Sequence, residues 1–278
     1  MGYTYSLSAL FEKSFYFGLD LAASYTFGHS KSVYDGTSSV AYSNWKYNYA
    51  VDSNNPGLAY SMFDIPHRVM VSVGYRTPRY AKGFMATTVS LVYNGYVGQR
   101  YSLTMNESYY DAEKKKTVYI DYNGDGWGGN SLLYIPTEDE LQKMDFKTEE
   151  DRRKFDEWIE GDSYAKKHRG AYAMRNSNSA PWENRVDLHV AQDIFVLKDR
   201  GSKFQVTFDV TNFANMLNKK WGTTYTAAYN VMPLQVIGSK KGEDGNYTNT
   251  YAYNSRNTIT KNDVLSRWHA QIGFKYIF

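Results

Sequence analysis

Apolar residues recur at every second position in several separate stretches of this chain. At the C-terminus Trp268, Ala270, Ile272, Phe274, Tyr276 and Phe278 alternate with His269, Gln271, Gly273 and Lys275. A period of two is that of a strand with one apolar and one polar side. Aromatics at both ends of the apolar side are what a strand crossing a bilayer needs. The same alternation runs over about 3–11, where only Leu10 is out of step, and over about 17–27, 67–76, 84–95, 185–194 and 204–211. In the 204–211 stretch Phe204, Val206, Phe208 and Val210 share the apolar side. These four are expected to face lipid together with Trp268, Ile272, Phe274, Tyr276 and Phe278.

The connections are lopsided. Those near residues 14, 80 and 200 are tight, the last formed by Lys198-Asp199-Arg200-Gly201-Ser202, whereas those at about 30–62, 98–182 and 216–262 are long. Short turns on one edge and long loops on the other mark a membrane-spanning barrel of the bacterial outer membrane, with the short turns periplasmic and the long loops outside. About seven spanning strands result, an odd number that leaves the first without a partner. The fold class is therefore all-β: an incomplete transmembrane antiparallel β-barrel with long extracellular loops, part of a larger barrel. The longest loop carries short helices. Thr137-Glu138-Asp139-Glu140 is a capping box, and Thr148-Glu149-Glu150-Asp151 opens a second helix with Phe155, Trp158 and Ile159 on one face and Gly161 as its stop.

Composition agrees with this without deciding it. The 278 residues include 27 Tyr and no Cys, and the aromatic share is 17%. Mean hydropathy is −0.60, and no long apolar run suggests a spanning helix; a barrel hides its hydrophobicity by alternation. A net charge of +3, scattered along the chain, argues against a nucleic-acid partner. The N-terminus, Met1-Gly2-Tyr3-Thr4-Tyr5, enters a strand with no signal-peptide pattern. Either the chain is cytoplasmic or it is the downstream piece of a longer exported protein, and the strand pattern favours the second.

Candidate chemistry is sparse. Asp121, Asn123 and Asp125, followed by Gly126, place oxygens at positions 1, 3 and 5 of a calcium-type loop, but position 12 is Leu132 rather than an acid. The alternatives are a partial Ca²⁺ site and an ion-free Asx turn; no other cofactor is expected. His29, His67, His168, His189 and His269 lack ligand spacing. His189, between Asp187 and Asp193, is read as lumen hydration rather than acid–base machinery, and no nucleophile elbow or phosphate loop is present. Trp45, Tyr47, Tyr49, Trp127, Trp158 and Trp221 are candidates to stack on a flat ligand, the alternative being interfacial girdles or loop packing.

Phe63-Asp64-Ile65-Pro66-His67-Arg68, Arg175-Asn176, Pro181-Trp182-Glu183-Asn184-Arg185-Val186-Asp187, the run from Asp209 through Asn212 to Gly222, and the stretch from Ser266 to Phe278 together resemble the C-terminal barrel of TonB-dependent outer-membrane receptors. The closest-looking branch is Oar-like, related to the starch-utilisation type with a carboxypeptidase-regulatory-like N-terminal domain. Gly128 to Pro136 resembles a segment of that family too, with Ser131 where an Asp is usual. The resemblance covers nearly all of residues 1–278 and implies the last seven or so strands of a 22-strand barrel, with the plug domain and signal peptide absent here. It also implies uptake of a large or scarce solute such as a glycan, peptide or chelate, energised by the TonB complex, with outer-membrane lipid and a surface lipoprotein as further partners. The expected protein is a transporter and not an enzyme, in the outer membrane of a Gram-negative bacterium. The rival is a surface adhesin or carbohydrate-binding β-sandwich, in which Phe208 and Phe274 would lie in a dry interior.

Overall fold

The computed structural model describes residues 2–196, 202–226, 230–243, 245–255 and 259–278. Its wall is one antiparallel sheet of β1 (Tyr3–Ser14), β2 (Leu19–Ser32), β3 (His67–Arg76), β4 (Met85–Tyr96), β5 (Glu183–Phe195), β6 (Lys203–Thr211) and β7 (His269–Ile277), each paired with the next in chain order. Ala59–Tyr60 adds a short extension to the end of β2. Of the expected turn residues Lys198 to Ser202, all but Ser202 lie outside the described residues.

Register decides which side chains share a face. One row across the wall reads Leu19, Tyr75, Val89, Val190, Phe208, Ile272, and the next of the same parity reads Leu21, Val73, Leu91, Leu188, Val210, Ala270. Between them, pointing the other way, lie Asp20, Gly74, Ser90, His189, Asp209 and Gln271. A slip of one residue in any strand would carry its charges into the apolar face, so the alternation itself excludes every odd-numbered slip.

The apolar face is uncovered. Phe274 is 78% exposed and Phe208 40%, which excludes the dry interior that a sandwich requires. Aromatic pairs mark one edge, with Phe204 and Tyr276 at 4.9 Å; Tyr93, Trp182 and Trp268 lie toward the other. The eight intervals from Val186 to Ile194 span about 27 Å along the strand, or roughly 21 Å of height at a tilt near 40°, close to the ~25 Å band of a bilayer barrel.

Two boundaries and one lipid-facing assignment differ from the sequence expectation. β2 begins at Leu19 rather than at Phe17, because Gly18 at φ +95° turns the chain where any Cβ would collide with the Arg76 carbonyl oxygen. β4 begins at Met85 because Ala81, Lys82 and Gly83 all have positive φ. Val210 keeps the outward parity but is only 1% exposed. Immediately after β6, Asn212 takes a left-handed φ of 56°, and the short helix that follows folds back onto β5, covering this end of the apolar face.

The first long connection is mostly irregular, with one short helix, whereas the two longer ones carry a sheet of their own. Arg100–Asn106, Asp145–Phe146, Asn178–Ser179, Asn230–Lys241 and Tyr247–Tyr253 form a second, five-stranded sheet with two parallel pairings. The helices are α1 (Ala41–Lys46), α2 (Glu138–Lys143), α3 (Glu149–Gly161) and α4 (Phe213–Leu217). The expected caps are in place: Thr137 and Glu140 form the reciprocal box, and the Thr148 hydroxyl accepts the Asp151 N–H at 3.1 Å. Phe155 and Ile159 of α3 pack with Leu103, Leu133, Ile135 and Leu234 in a core separate from the wall. Each such side chain contributes about 1.5–3 kcal/mol. The two longest connections thus fold together into a cap.

Candidate functional site

The wall's second face is polar, as a water-filled lumen requires. Asp193 accepts from Arg76 at 3.1 Å, Lys203 at 2.6 Å and Gln205 at 2.8 Å near the periplasmic turns. Farther up, His189 Nδ1 meets Asp209 Oδ1, and Arg185 Nε donates to Asp187 at 3.2 Å. His189–Asp209 and the Lys203 and Gln205 contacts to Asp193 join neighbouring strands, Arg76 reaches Asp193 across the intervening strand β4, and Arg185 and Asp187 pair along β5 itself.

Wall and cap are joined by the motif residues. Asp64, its side chain fully buried, accepts Arg100 Nε at 3.0 Å, Arg100 Nη2 at 2.6 Å and the Ser30 N–H at 2.6 Å, with His29 at 3.3 Å. The same guanidinium lies 4.1 Å from the centre of the Tyr60 ring. Arg175 donates to Asn48 Oδ1 and to the Ser32 carbonyl, both at 2.6 Å, and lies 3.4 Å from Asp35. Burial pushes its pKa below the usual guanidinium range. Asn176, at φ 55°, takes the Ser102 hydroxyl and donates to the Tyr60 carbonyl. At the far rim Asn212 Nδ2 donates to the Gly222 and Ser266 carbonyls at 2.8 and 2.9 Å, and its N–H to Asp187 at 2.7 Å. Buried side chains that bond backbone across long chain separations fix geometry, and these are the joints of the scaffold.

Between the first two joints opens a cavity of about 420 Å³, bordered by Asp35, Asn44, Tyr47, Asn48, Arg100 and Arg175 among others. Each arginine has its own carboxylate, so the lining is polar but balanced in charge. At one side Tyr47 meets Trp127 edge-on at 6.5 Å, and Lys46 Nζ sits 3.2 Å above the Trp127 ring and 5.2 Å from Tyr47. Trp45 stacks on Tyr42 at 6.0 Å and donates Nε1 to Asn54. Amide and phenol groups beside an aromatic platform suit a neutral, polar solute with flat faces.

The calcium-type turn has a different use. Asp121 accepts the Asp125 and Gly126 N–H groups, Asn123 Oδ1 accepts the Asp125 N–H, and Asp125 accepts the Trp127 N–H at 2.7 Å. The other Asp125 oxygen takes Ser53 at 2.6 Å and Asn130 at 2.7 Å. Burial works against this carboxylate's charge, but the hydrogen bonds from Asn130, Ser53 and Trp127 outweigh it and hold the carboxyl below its usual range. Glu107, 2% exposed, sits against the Gly129 N–H. Burial raises its pKa despite the Gly129 N–H. Oxygens turned onto N–H donors, with Leu132 buried at position 12, do not fit a calcium cage. The turn clamps the first long connection to the second and aims Trp127.

Of the aromatic candidates, Tyr47 and Tyr49 line the cavity, Trp127 meets Tyr47 beside it, and Trp45 packs on Tyr42 of the same helix. Trp158 stacks on Phe155 at 6.1 Å and packs on the cap core, so it is a packing residue and not a ligand platform. Trp221 lies outside the wall, in a groove with Trp182 and Val186. Arg100, Arg175 and Asp35 were not singled out for a site by the sequence; the signal was the pair of buried arginines, invisible without the partners that bury them.

A family model described as an outer membrane beta barrel domain matches residues 3–267. The chain belongs to this family. No curated protein and no solved structure matches it. Membership in the outer-membrane β-barrel family places the uncovered apolar face against outer-membrane lipid in a Gram-negative cell. It gives the lopsided connections of this barrel domain their orientation, with tight turns periplasmic and the cap outside.

Proposed function

We propose that this domain supplies closing strands to a larger TonB-dependent receptor that carries a large or scarce solute, a glycan, peptide or chelate, through the outer membrane, and that it acts as a transporter rather than an enzyme. The carrying observation is the pair of open edges. Among the described residues β1 and β7 are each paired on one side only, although an unpaired backbone group in hydrocarbon costs several kcal/mol. Further strands would satisfy both edges and widen the lumen. A cap with its own core and a charge-balanced cavity supports solute capture at the outer rim. The TonB complex and a surface lipoprotein belong to this reading as partners.

The test uses a strain lacking the gene. Uptake of defined pools of oligosaccharides, peptides and iron chelates is compared with the parent, with and without a protonophore. Loss of an energy-dependent uptake, restored by the intact gene, supports the reading. Unchanged uptake of every pool, or steady passive conductance of the full-length protein in planar bilayers, refutes it.

A further inference from the structure

On the lipid side of the wall, at its extracellular end, a groove of about 260 Å³ runs between Trp182, Val186, Ala214, Lys220 and Trp221. Its floor is continuous with the apolar face, since Val186 lies in the outward row with Ala23, Val71 and Tyr93. Just above, Asn184 Oδ1 accepts both the Tyr93 hydroxyl at 2.7 Å and Trp182 Nε1 at 3.1 Å. Gly95 leaves room for this knot, because a Cβ there would collide with the Tyr93 hydroxyl. Ring donors that find an internal acceptor while their rings face outward mark the depth at which hydrocarbon gives way to headgroups.

The groove's outer lip is the collar made by residues 212–226 and 260–268, stitched together where Thr224 N–H meets the Ser266 hydroxyl and Lys261 Nζ meets the Lys219 carbonyl. The collar exposes Leu217 (61%), Val264 (68%) and Leu265 (61%). An apolar surface of this kind continues the membrane-facing surface below it. Lys219 and Lys220 are exposed beside it, and neither pairs with a carboxylate among the described residues, unlike Lys261, which lies 3.8 Å from Asp263. Apolar floor and unpaired cations at headgroup depth complement one kind of molecule, a lipid with an anionic head.

We propose that this groove is a binding site for a lipid of the outer leaflet whose phosphate-bearing head is net anionic, with an acyl chain on Val186, Ala214 and Trp221 and its phosphate on Lys220, assisted by Lys219. The site rests on outer-membrane membership and not on the transport reading. Lysines at this depth gain from a phosphate because the low-dielectric floor screens the attraction poorly.

Native mass spectrometry of the full-length protein in neutral detergent tests it, with purified lipid A, dephosphorylated lipid A and phosphatidylcholine as probes. The K219E/K220E double variant is expected to lower lipid A occupancy at least about tenfold while leaving phosphatidylcholine unchanged. Trp221→Ala should lower retention of the phosphorylated and dephosphorylated forms alike. Lys116→Glu, on the cap, should change nothing, and heat-modifiable gel mobility confirms that each variant is folded. Equal loss in the Lys116→Glu control, equal binding of the dephosphorylated form, or unchanged lipid A binding by the double variant would overturn the proposal.

Discussion

Adjacent residues on opposite sides of one strand offer the sharpest test of the wall. Val89 lies in the outward row with Val190 and Phe208, and Ser90 in the inward row with His189 and Asp209. Four residues separate Val89 from Tyr93, about 14 Å along the strand and so roughly 10 Å of depth at a 40° tilt, which puts Val89 near the bilayer midplane. Val89→Arg should cost about 2–4 kcal/mol, the range for an arginine on the lipid side at that depth. This lowers the folding equilibrium constant roughly 30- to 1,000-fold. Ser90→Arg, whose guanidinium would enter water between Asp20 and Asp209, should cost under about 1 kcal/mol. The assay is reversible urea unfolding of the full-length protein in phosphatidylcholine vesicles, read by heat-modifiable mobility and tryptophan emission. Equal costs for the two variants, or a larger one for Ser90→Arg, would show that the assignment of lipid and lumen faces is wrong.

Removing Arg100 leaves the fully buried Asp64 carboxylate without its fork; Arg100→Ala should destabilise the junction by about 3–5 kcal/mol, seen as faster proteolysis between residues 33 and 62 with the wall intact. Phe155→Ala should open the cap at a cost of about 3–5 kcal/mol without altering the wall's urea midpoint, whereas a single shared transition would contradict two separate cores. At Gly222, φ is +57° and a Cβ would strike Asn212 Oδ1, so Gly222→Ala should cost about 1–3 kcal/mol by thermal shift. Glu107 has a folded pKa raised above the ordinary value of 4.5, so the folded cap binds more protons than the unfolded one between those two values. Its stability should fall as pH rises from about 4.5 through the raised pKa. Cap melting at pH 5 and pH 8 should show a smaller pH difference for Glu107→Gln than for the parent, and identical differences would refute the assignment.

Alternation along the chain was enough to place the wall. Strand pairing copies local order into space here, because each wall strand pairs with the next and a period of two fixes the parity that keeps Asp193, His189 and Asp209 out of lipid. The helix caps at Thr137 and Thr148 were equally local, set within four residues. The cap was not legible, since Asn230–Lys241 pairs in parallel with Arg100–Asn106, more than a hundred residues earlier, and nothing nearby in sequence announces a partner so distant. The same holds for the motif residues. Asp64, Arg175 and Asn212 could be noticed in the chain, but their work as joints depends on the backbone and charges that fold around them. Val210, Trp158 and the Asp121–Asp125 turn show the limit most clearly: residue type and spacing gave Val210 a lipid-facing role and left two roles open for each of the others, and contacts with segments remote in sequence covered Val210, packed Trp158 on the cap core and tied the turn to Ser53. Local periodicity set the wall, and long-range burial chose the site.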